Sequence, residues 1–557
     1  MVSLLCGCDD PLPKPVPPKQ KPLFVEVTTD LGLPSPTPSW PDGKHFTPEI
    51  GPGGVALLDY DNDGDLDIYQ ICHAPPQATF EKMLGTPAPN RLFQQQDDGR
   101  FVEVENAAGL NDPGFGHGVA VGDVNNDGWV DVYVTNHGQN RLMLNDGNGA
   151  FTDVTETAGL VVDATSGWST STSFLDYDGD GHLDLYVVNF GVFDPDRVCN
   201  HTDGARDYCG PHHFVGLVDA LFHNKGDGTF EQITADAGIT SPGRGWGVVC
   251  VDLTGDDRID IYVANDLERN FLWVNQGDGT FRDEAIQRGV AFNGRGIPEA
   301  SMGVAVGDMD NDGAIDLFMT HFMGETNTLY RNQGTHQYRD RSASSQLGMV
   351  DQPYTGWGCG FVDFDNDGDL DLIAVNGRVS RGKPFDGCRL GAFWSRYAEP
   401  NLLFENQGAG KFIDVGKLAG ALTGHIENTR GLAWGDIDSD GDIDVVTSNI
   451  DNTLRLFRNE AADETHWLLV RAIVGQRDAI GAKVTLESDP RQTRTLTPGQ
   501  SFLSSCDSKI HFGLDKQSDI KAISVVWPNG RKERFPFPDG VADQTVTIRQ
   551  GDGQSPE

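Results

Sequence analysis

Seven nine-residue segments of the chain share one acidic pattern, D-x-D-x-D-G-x-x-D, with few departures. Positions 1, 5 and 9 are Asp in all seven segments, and position 3 is Asp in five, with Asn125 and Thr254 in the others. Position 6 is Gly in six segments and Asp257 in the remaining one, while position 8 is always Leu, Val or Ile. The segments begin at Asp59, Asp123, Asp176, Asp252, Asp308, Asp363 and Asp436.

This pattern predicts calcium sites. Position 7 carries unrelated side chains, so only its backbone carbonyl offers a constant chemistry. Oxygen ligands at positions 1, 3, 5, 7 and 9 are typical of a Ca²⁺ loop similar to the first part of an EF-hand, whereas Mg²⁺ demands a tighter octahedron. The predicted ligands are Asp59, Asp61, Asp63, Asp65, Asp67, Asp123, Asn125, Asp127, Trp129, Asp131, Asp176, Asp178, Asp180, His182, Asp184, Asp252, Thr254, Asp256, Arg258, Asp260, Asp308, Asp310, Asp312, Ala314, Asp316, Asp363, Asp365, Asp367, Asp369, Asp371, Asp436, Asp438, Asp440, Asp442 and Asp444.

Tight turns also use Asp as a capping residue, and this is the simpler interpretation of any single loop. The seven loops together contain thirty aspartates, which would repel one another without a cation. The loop at Asp252 is predicted to bind most weakly, because Thr254 replaces a carboxylate and Asp257 replaces the turn glycine. Up to seven Ca²⁺ ions are expected, and loops with extracellular affinities of ~10⁻⁴–10⁻³ M would be empty in the cytosol, which favours export.

Each acidic loop is predicted to join two β-strands, such as GVALL before Asp59 and IYQI after it. A third strand follows, such as NRLF at Asn90, then a glycine turn and a fourth strand such as FVEV at Phe101. Six fourth strands follow a loop, and the seventh, FVEV at Phe24, precedes the first loop. This circular arrangement predicts an all-β fold, a seven-bladed β-propeller. The alternative is an open β-solenoid.

In a propeller of this kind the acidic loops lie on one face, and the connections between second and third strands lie on the other. The larger insertions, at about 74–89, 191–218 and 377–400, all belong to those connections. Variable loops on a rigid scaffold usually carry recognition, so we expect the face opposite the calcium loops to bind a glycan or an extracellular protein. The candidate residues of this ligand face are Trp246, Arg244, Arg295, His137 and His321.

Charge and hydropathy exclude two classes of partner. The 557 residues include 42 Lys and Arg against 83 Asp and Glu, a formal charge of −41 that would repel nucleic acid. No run of 18 apolar residues is present to span a bilayer. Leu5-Cys6-Gly7-Cys8 resembles a bacterial lipobox with Cys8 as the lipidated residue, although its apolar stretch is shorter than a working signal requires. We therefore expect a monomer that contacts membrane only through a lipid anchor.

The predicted organisation has four parts. A lipoprotein-like leader and Pro-rich spacer cover 1–22, the propeller 23–460, a β domain 461–551, and a disordered tail 552–557. From His466 onward, short alternating strands indicate a small β-sandwich that binds a ligand or caps the propeller.

Cys199 and Cys209 flank a loop rich in turn formers, and in an exported chain they are predicted to form a disulfide. A zinc site is the alternative, with His201, His212 or His213 as further ligands. The other cysteines considered are Cys250 and Cys359, predicted to be buried thiols, and Cys72 and Cys388, for which a disulfide and free thiols both stay open.

The C-terminal segments IGAKVTLES from Ile480, SFLSSCDSKIHFGLDK from Ser501 and ISVVWPNGRKERF from Ile523 complete a family pattern. Together with the seven acidic units they resemble the ASPIC/UnbV family with FG-GAP/VCBS repeats, the cartilage-acidic-protein-like group, and the segment from Arg197 is similar to an insertion in bacterial members. The resemblance implies a secreted or surface calcium-binding propeller. The fourth loop departs from the pattern, as does Cys506, where a small polar residue is expected.

The sequence thus favours an exported calcium-binding recognition or adhesion module, either a cell-surface lipoprotein or a periplasmic or secreted protein. No catalytic residue is assigned, since G-x-S-x-G, H-E-x-x-H and P-loop motifs are absent. One alternative is a polysaccharide lyase or hydrolase on the same face. A lyase would use His137 or His321 as base and Arg244 or Arg295 to neutralise a uronate. The second alternative is a purely structural scaffold.

Overall fold

A computed structural model of the chain describes residues 21–34, 45–73, 89–161, 167–194, 196–334, 337–461, 465–537 and 542–555. Cys8 with most of the spacer, and nearly all of the insertion at 74–89, lie outside these described residues.

Seven four-stranded antiparallel sheets make up the larger part of the described chain, and the predicted all-β fold is confirmed. Each acidic loop is the hairpin between the first and second strands of its sheet, because apolar and β-branched residues alternate on both sides of it. The first four sheets contain Val55–Leu58, Asp67–Gln70, Arg91–Gln95 and Phe101–Glu103; Gly116–Gly122, Asp131–Asn136, Arg141–Asn145 and Phe151–Asp153; Ser169–Leu175, Asp184–Asn189, Ala220–Asn224 and Phe230–Gln232; and Gly245–Val251, Asp260–Asn265, Phe271–Asn275 and Phe281–Asp283. The last three contain Val304–Gly307, Asp316–Met319, Thr328–Asn332 and Tyr338–Asp340; Gly356–Val362, Asp371–Asn376, Leu402–Asn406 and Phe412–Asp414; and Thr429–Gly435, Asp444–Asn449, Leu454–Asn459 and Phe24–Glu26.

The seventh sheet takes its outermost strand from the start of the chain. Phe24 lies opposite Asn459, and Glu26 lies opposite Phe457, which confirms the predicted pairing. The first strands of consecutive sheets contact one another, and that of the first sheet also contacts that of the seventh. These first strands therefore surround a common centre, in the manner of a propeller.

The C-terminal residues form two further four-stranded sheets, called the C-terminal module below. Its strands are Arg477–Asp478, His466–Val474, Ile510–Asp515 and Gln544–Arg549 in one sheet, and Gln492–Thr495, Lys483–Leu486, Ala522–Val526 and Lys532–Pro536 in the other. Leu468 and Val484 of this module share one apolar core with Phe174 and Leu183 of the third repeat sheet. The module is therefore packed directly on the repeat sheets.

Residues 498–507, called the channel segment below, leave the module and enter the centre surrounded by the first strands. Ser501 exchanges backbone hydrogen bonds of 2.7 and 2.8 Å with Val304, and the Val119 amide donates to the Leu503 carbonyl at 3.1 Å. Phe502 is fully buried, and its ring packs on Trp357 at a centroid distance of 4.9 Å. The C-terminal sequence thus supplies the core of the central channel.

Short elements complete the described chain. Three two-stranded ribbons pair Gly191–Val192 with Val215–Gly216, Cys199–Asn200 with Arg206–Asp207, and Glu399–Pro400 with Ile426–Glu427. The helices are the α-helices Ala285–Arg288 and Ala421–Gly424 and the 3₁₀ helices Thr47–Ile50, Glu105–Gly109, Pro211–His213 and Trp394–Arg396. Among the described residues, none of these helices has the length and apolar character needed to cross a membrane.

The cysteine predictions are largely confirmed. Cys199 and Cys209 form the disulfide, so the zinc alternative is not adopted there. Cys250 and Cys359 are buried free thiols. Cys72 and Cys388 are both free, which resolves the question left open by the sequence.

The prediction of a disordered tail over 552–557 is wrong for its described part, residues 552–555. Gln554 exchanges backbone hydrogen bonds of 2.8 and 2.9 Å with Arg534. This pairing adds the end of the chain to the edge of a module sheet.

Candidate metal centres

The carboxylate at loop position 9 connects three parts of its sheet. In the first sheet, the Asp67 carboxylate accepts a hydrogen bond from the Gln95 amide at 2.8 Å and another from the Tyr60 amide at 3.2 Å. These bonds tie the end of the third strand to the start of the loop. The same pair of bonds recurs at Asp131, Asp184, Asp260, Asp316, Asp371 and Asp444.

Positions 1 and 5 fix the turn itself. The Gly64 amide donates to the Asp59 carboxylate at 3.1 Å, and the Asp65 amide donates to the Asp63 carboxylate at 3.0 Å. Equivalent bonds occur in the other six loops. The aspartates thus cap turns as the simpler interpretation proposed, and their hydrogen bonds alone do not distinguish capping from metal binding.

Position 3 makes that distinction. Among the described residues, the Oδ1 atoms of Asp61, Asp310 and Asp365 are buried and accept no hydrogen bond. A buried carboxylate oxygen without a partner is costly, and a cation would satisfy it. The groups whose ligand atoms lie within 4.8 Å of one another include Asp59, Asp61 and Asp67; Asp176, Asp178 and Asp184; Asp308, Asp310 and Asp312; and Asp363, Asp365 and Asp371. These groups could hold metal ions.

The raised pKa values of these carboxyls show that the ionised form is disfavoured in the metal-free loops. Burial, followed by repulsion from neighbouring carboxylates, raises the pKa of Asp59 to about 6 and that of Asp365 to about 7. Burial likewise raises the pKa of Asp67 and of Asp131 to about 8. Such groups are poised to exchange a proton for a cation.

The fourth loop keeps the common hydrogen-bond pattern despite its substitutions. The Asp257 amide donates to the Asp252 carboxylate at 3.0 Å, as the glycine does elsewhere. Asp257 adopts a φ of 62°, the left-handed conformation that glycine adopts in the other loops. Its carboxylate faces away to Lys532 of the C-terminal module at 2.7 Å, which agrees with its predicted exclusion from the ligand set.

The sequence interpretation missed two positions at the end of each third strand. The last residue is Asn in six sheets and Gln95 in the first, and its side-chain amide bonds to a loop carbonyl of the preceding sheet in most of them. These bonds run from Gln95 to Ile437, Asn145 to Tyr60, Asn224 to Val124, Asn275 to Tyr177, Asn406 to Met309 and Asn459 to Phe364. In the fifth sheet the hydroxyl of Tyr338, on the fourth strand, donates to the Leu253 carbonyl of the preceding sheet. The signal in the sequence that could have identified this position is the Asn or Gln that recurs at the same place in every repeat.

The residue before this amide varies between sheets, and in several of them it contacts the acidic loop of its own sheet. Gln94 donates to Asp61 at 2.6 Å, and Arg331 forms ion pairs with Asp310 and Asp312. The residues at this position are Gln94, Leu144, His223, Val274, Arg331, Glu405 and Arg458. The seven loops are therefore chemically unequal, although their own sequences are similar.

The C-terminal module covers the loop face. Arg477 forms a buried ion pair with Asp176 at 3.1 Å, and the Gly513 amide donates to Asp363 at 3.1 Å. His511 Nε2 lies 3.0 Å from the Gly441 carbonyl. Basic side chains of the module thus compensate part of the loop charge, and the loop face is occupied by the protein itself.

Most of the residues predicted for the ligand face are not exposed in the structure. Trp246 lies within a strand and is 3% exposed, and His137 and His321 are 7% and 1% exposed. Arg244 is bound to Glu268 at 3.1 Å and has 13% of its side chain exposed. Arg295 alone of the five candidates is exposed. The expectation that Trp246 is available on the ligand face is wrong, because the channel segment and neighbouring aromatic rings surround it.

Two insertions meet across this opposite face. Asp207, in the disulfide-closed hairpin of the third sheet, accepts hydrogen bonds from the Arg381 amide at 3.1 Å and the Tyr397 hydroxyl at 3.0 Å. Both partners belong to the insertion at 377–400. Tyr208 donates to Glu49 at 2.6 Å. The insertions thus form a joined surface.

Comparison with known proteins agrees with the repeat pattern. Residues 82–134, 123–187, 202–263, 252–319 and 308–374 match the model described as FG-GAP-like repeat, and residues 474–555 match the model described as ASPIC and UnbV.

Relatives extend over most of the chain. It is 25% identical over 542 residues to cartilage acidic protein 1 of Xenopus tropicalis, covering 92% of this chain and 74% of that protein. It is 26% identical over 541 residues to cartilage acidic protein 1 of Homo sapiens, covering 92% and 73%. Among solved structures, the BP39L lectin from Burkholderia pseudomallei is similar with a TM-score of 0.44 at 11% identity, covering 75% of this chain and 98% of that chain.

Proposed function

The chain belongs to the FG-GAP-like repeat proteins with a C-terminal ASPIC and UnbV segment, and from this premise we propose that it is an exported calcium-binding recognition module. In this proposal the seven sheets are the blades of one closed propeller, and a small β-sandwich covers its loop face. The opposite face binds a glycan or an extracellular protein. Relatives named for cartilage support a role outside the cell.

One observation supports the proposal that the face opposite the acidic loops binds a ligand. The C-terminal module covers the loop face, whereas the connections on the opposite face carry exposed apolar side chains. Exposed apolar side chains that lie next to one another mark interaction surfaces more often than isolated ones, and Val192 lies opposite Val215 in a two-stranded ribbon. Those on the opposite face are Val192, Val198, Val215, Val218, Leu267, Ile297 and Met323.

Calcium is the cation that best suits the loops. Their donors are carboxylate oxygens and backbone carbonyls, which are hard ligands, and several of these oxygens are buried. The bound ions would supply the positive charge that the module's few Arg and Lys residues do not. Their role would be structural, because the loops lie between propeller and module and away from the proposed recognition face.

Catalysis has little support at the proposed residues. A lyase base must reach its substrate, whereas His137 and His321 are buried, and burial lowers the pKa of His137 to about 4. Arg244 is already bound to Glu268. Binding without turnover is therefore the better proposal.

A glycan array and a turnover assay test the proposal together. Wild-type protein in millimolar Ca²⁺ would be applied to immobilised neutral and acidic glycans, with absorbance at 235 nm recorded for the acidic ones. We expect binding without new unsaturated ends, and loss of binding in Val198→Glu and Val215→Glu. The matched control is Ile413→Glu, an exposed residue on a fourth strand. Unsaturated product would indicate a lyase, and equal loss in the control would remove the recognition face from the proposal.

A further inference from the structure

The third acidic loop has an imidazole beside its carboxylates, contributed by a third-strand position that is not histidine in the other six sheets. A ring nitrogen of His223 and carboxylate oxygens of Asp178 and Asp180 lie within 4.8 Å of one another. His223 Nδ1 is 3.6 Å from Asp178 and 3.2 Å from Asp184. The imidazole comes from the third strand Ala220–Asn224 and not from the loop.

A second observation points to a ligand at this place. Asp176, at position 1 of the loop, is 3% exposed, and among the described residues its Oδ1 atom accepts no hydrogen bond. Its Oδ2 atom is bound by Arg477 at 3.1 Å and by the Gly181 amide at 3.1 Å. Oδ1 therefore remains for a further positive group, and Asp176, Asp178 and Asp184 form one of the close oxygen clusters.

We propose that the third loop, with His223, is a mixed nitrogen and oxygen site for a transition-metal cation of the Zn²⁺ or Co²⁺ class. Imidazole is a preferred ligand of these cations, whereas Ca²⁺ takes oxygen ligands. Arg477 already neutralises part of the charge of Asp176, which weakens the attraction of this carboxylate for any cation and leaves the imidazole as the ligand that favours a transition metal. The inference rests on the proposed function in one respect, that the acidic loops bind cations at all.

The position of His223 explains why one sheet differs from the rest. The equivalent residues include Leu144 and Val274, which offer no ligand, and Arg331, which places a positive charge on its own loop. Only the third sheet has an imidazole there. A single third-strand residue thus sets the cation class of its loop.

Metal titration of the full-length chain tests this. Zn²⁺ or Co²⁺ would be added in excess Ca²⁺, with calorimetry for affinity and X-ray absorption at the metal edge for imidazole ligation. The adjacent residues His212, which is exposed, and His213, which is half-buried, would be changed to Gln in all samples, because they offer a competing surface site. We expect one bound equivalent with an imidazole ligand.

Three further variants make the outcome decisive. His223→Gln should weaken Zn²⁺ binding by roughly tenfold or more, and its melting temperature in Ca²⁺ checks that the variant is folded. His182→Gln, the neighbouring histidine at loop position 7, should have no such effect. Gln94→His in the His223→Gln background should restore one equivalent, since Gln94 already contacts Asp61 from the same strand position.

Unchanged Zn²⁺ affinity in His223→Gln would overturn the inference. So would the absence of any transition-metal site in a chain whose melting temperature still rises with Ca²⁺, an outcome that leaves the proposed function intact. If neither Ca²⁺ nor Zn²⁺ binds, the inference and the calcium part of the proposed function fail together.

Discussion

At the scale of single residues, the loop aspartates each combine two tasks. Asp67 accepts two backbone amides and also lies within 4.8 Å of Asp59 and Asp61. The invariance of positions 1, 5 and 9 therefore agrees with turn geometry and, under the proposed function, with cation binding as well. The variable position 3 is where the two tasks separate, because in three loops its buried Oδ1 oxygen accepts no hydrogen bond from the part of the chain that the structure describes.

Asp371→Asn should destabilise the protein far more than Asp257→Asn. Asp371 is buried and accepts the Asn406 amide at 2.7 Å and the Phe364 amide at 3.2 Å, so an amide nitrogen in place of one oxygen would face a donor. The expected cost is about 1–3 kcal/mol. The Asp257 carboxylate pairs with the half-exposed Lys532, and its change should cost less than ~1 kcal/mol.

Denaturant unfolding in chelator measures the free-energy cost of the lost hydrogen bonds. The same measurement in Ca²⁺ adds the cost of weakened ion binding. Equal effects of the two substitutions under both conditions would contradict the assignment of position 9.

The stability of the metal-free chain should fall as pH rises. Burial raises the folded-state pKa of Asp59 to about 6, of Asp365 and Asp436 to about 7, and of Asp67 to about 8. In the unfolded chain the same groups ionise near pH 3.8. Between pH 3.8 and these folded-state pKa values, the folded state therefore binds more protons than the unfolded state. The contribution of these groups to the free energy of unfolding is complete below pH 3.8 and is lost as the pH rises through 6–8.

Melting curves in chelator between pH 5 and 8 measure this loss, with 0.5 M salt added to screen the general repulsion of an acidic chain. The rise in melting temperature on adding Ca²⁺ should be larger at pH 8 than at pH 5, because the cation displaces bound protons. If the melting temperature of the metal-free chain does not change with pH, the raised pKa values of the loop carboxyls are contradicted.

At the scale of elements, the channel segment joins two parts of the chain that the sequence presents as separate domains. Its backbone pairs with the first strands of several sheets, and Phe502 contacts Trp246 and Trp357. The module is thus inserted into the propeller as well as packed on its loop face. One consequence is that the two parts should unfold together.

Phe502→Ala should lower the melting temperature of the whole protein in a single transition. The side chain is fully buried among aromatic rings, and truncation of such a residue costs about 3–5 kcal/mol. Ile413→Ala, at an exposed position, is the matched control and should have little effect. Calorimetry that resolves a separate, unshifted propeller transition would show that the channel segment does not couple the two parts.

At the scale of the whole molecule, charge is the dominant feature. The formal charge of −41 is concentrated in loops that lie on one face beneath the C-terminal module. Arg477 and Lys532 of the module compensate only part of it. Filling seven loops with Ca²⁺ would add 14 positive charges, so cation binding and assembly of the two parts are expected to be linked.

Chelation should therefore destabilise propeller and module together. A single site at about 1,000 times its Kd adds about 4 kcal/mol to folding stability, so several sites should shift the melting temperature on the order of 10 °C. Scanning calorimetry with excess chelator, compared with millimolar Ca²⁺, gives the measurement. Mg²⁺ at equal concentration is the control and should restore less stability. An unchanged melting temperature in chelator would contradict metal binding by the loops.

The repeat, the strand order and the acidic loops could be predicted from the sequence because each element is encoded by residues close together in the chain, and the number of repeated elements closes the ring. Alternation of apolar residues predicted the strands, and the missing fourth strand after Asn452 predicted the pairing of Phe24 with the last sheet. The Cys199–Cys209 disulfide was predictable for the same reason, since it closes a short loop.

The environment of individual side chains was decided only by the tertiary structure. Trp246 and His321 were expected on an open face, yet contacts from segments distant in the sequence bury them, the channel segment among them for Trp246. The module's position over the loops, and the approach of His223 to Asp178, likewise join residues from different strands and domains. Burial and ligation depend on which distant segments meet in space, and local patterns carry no information about that meeting.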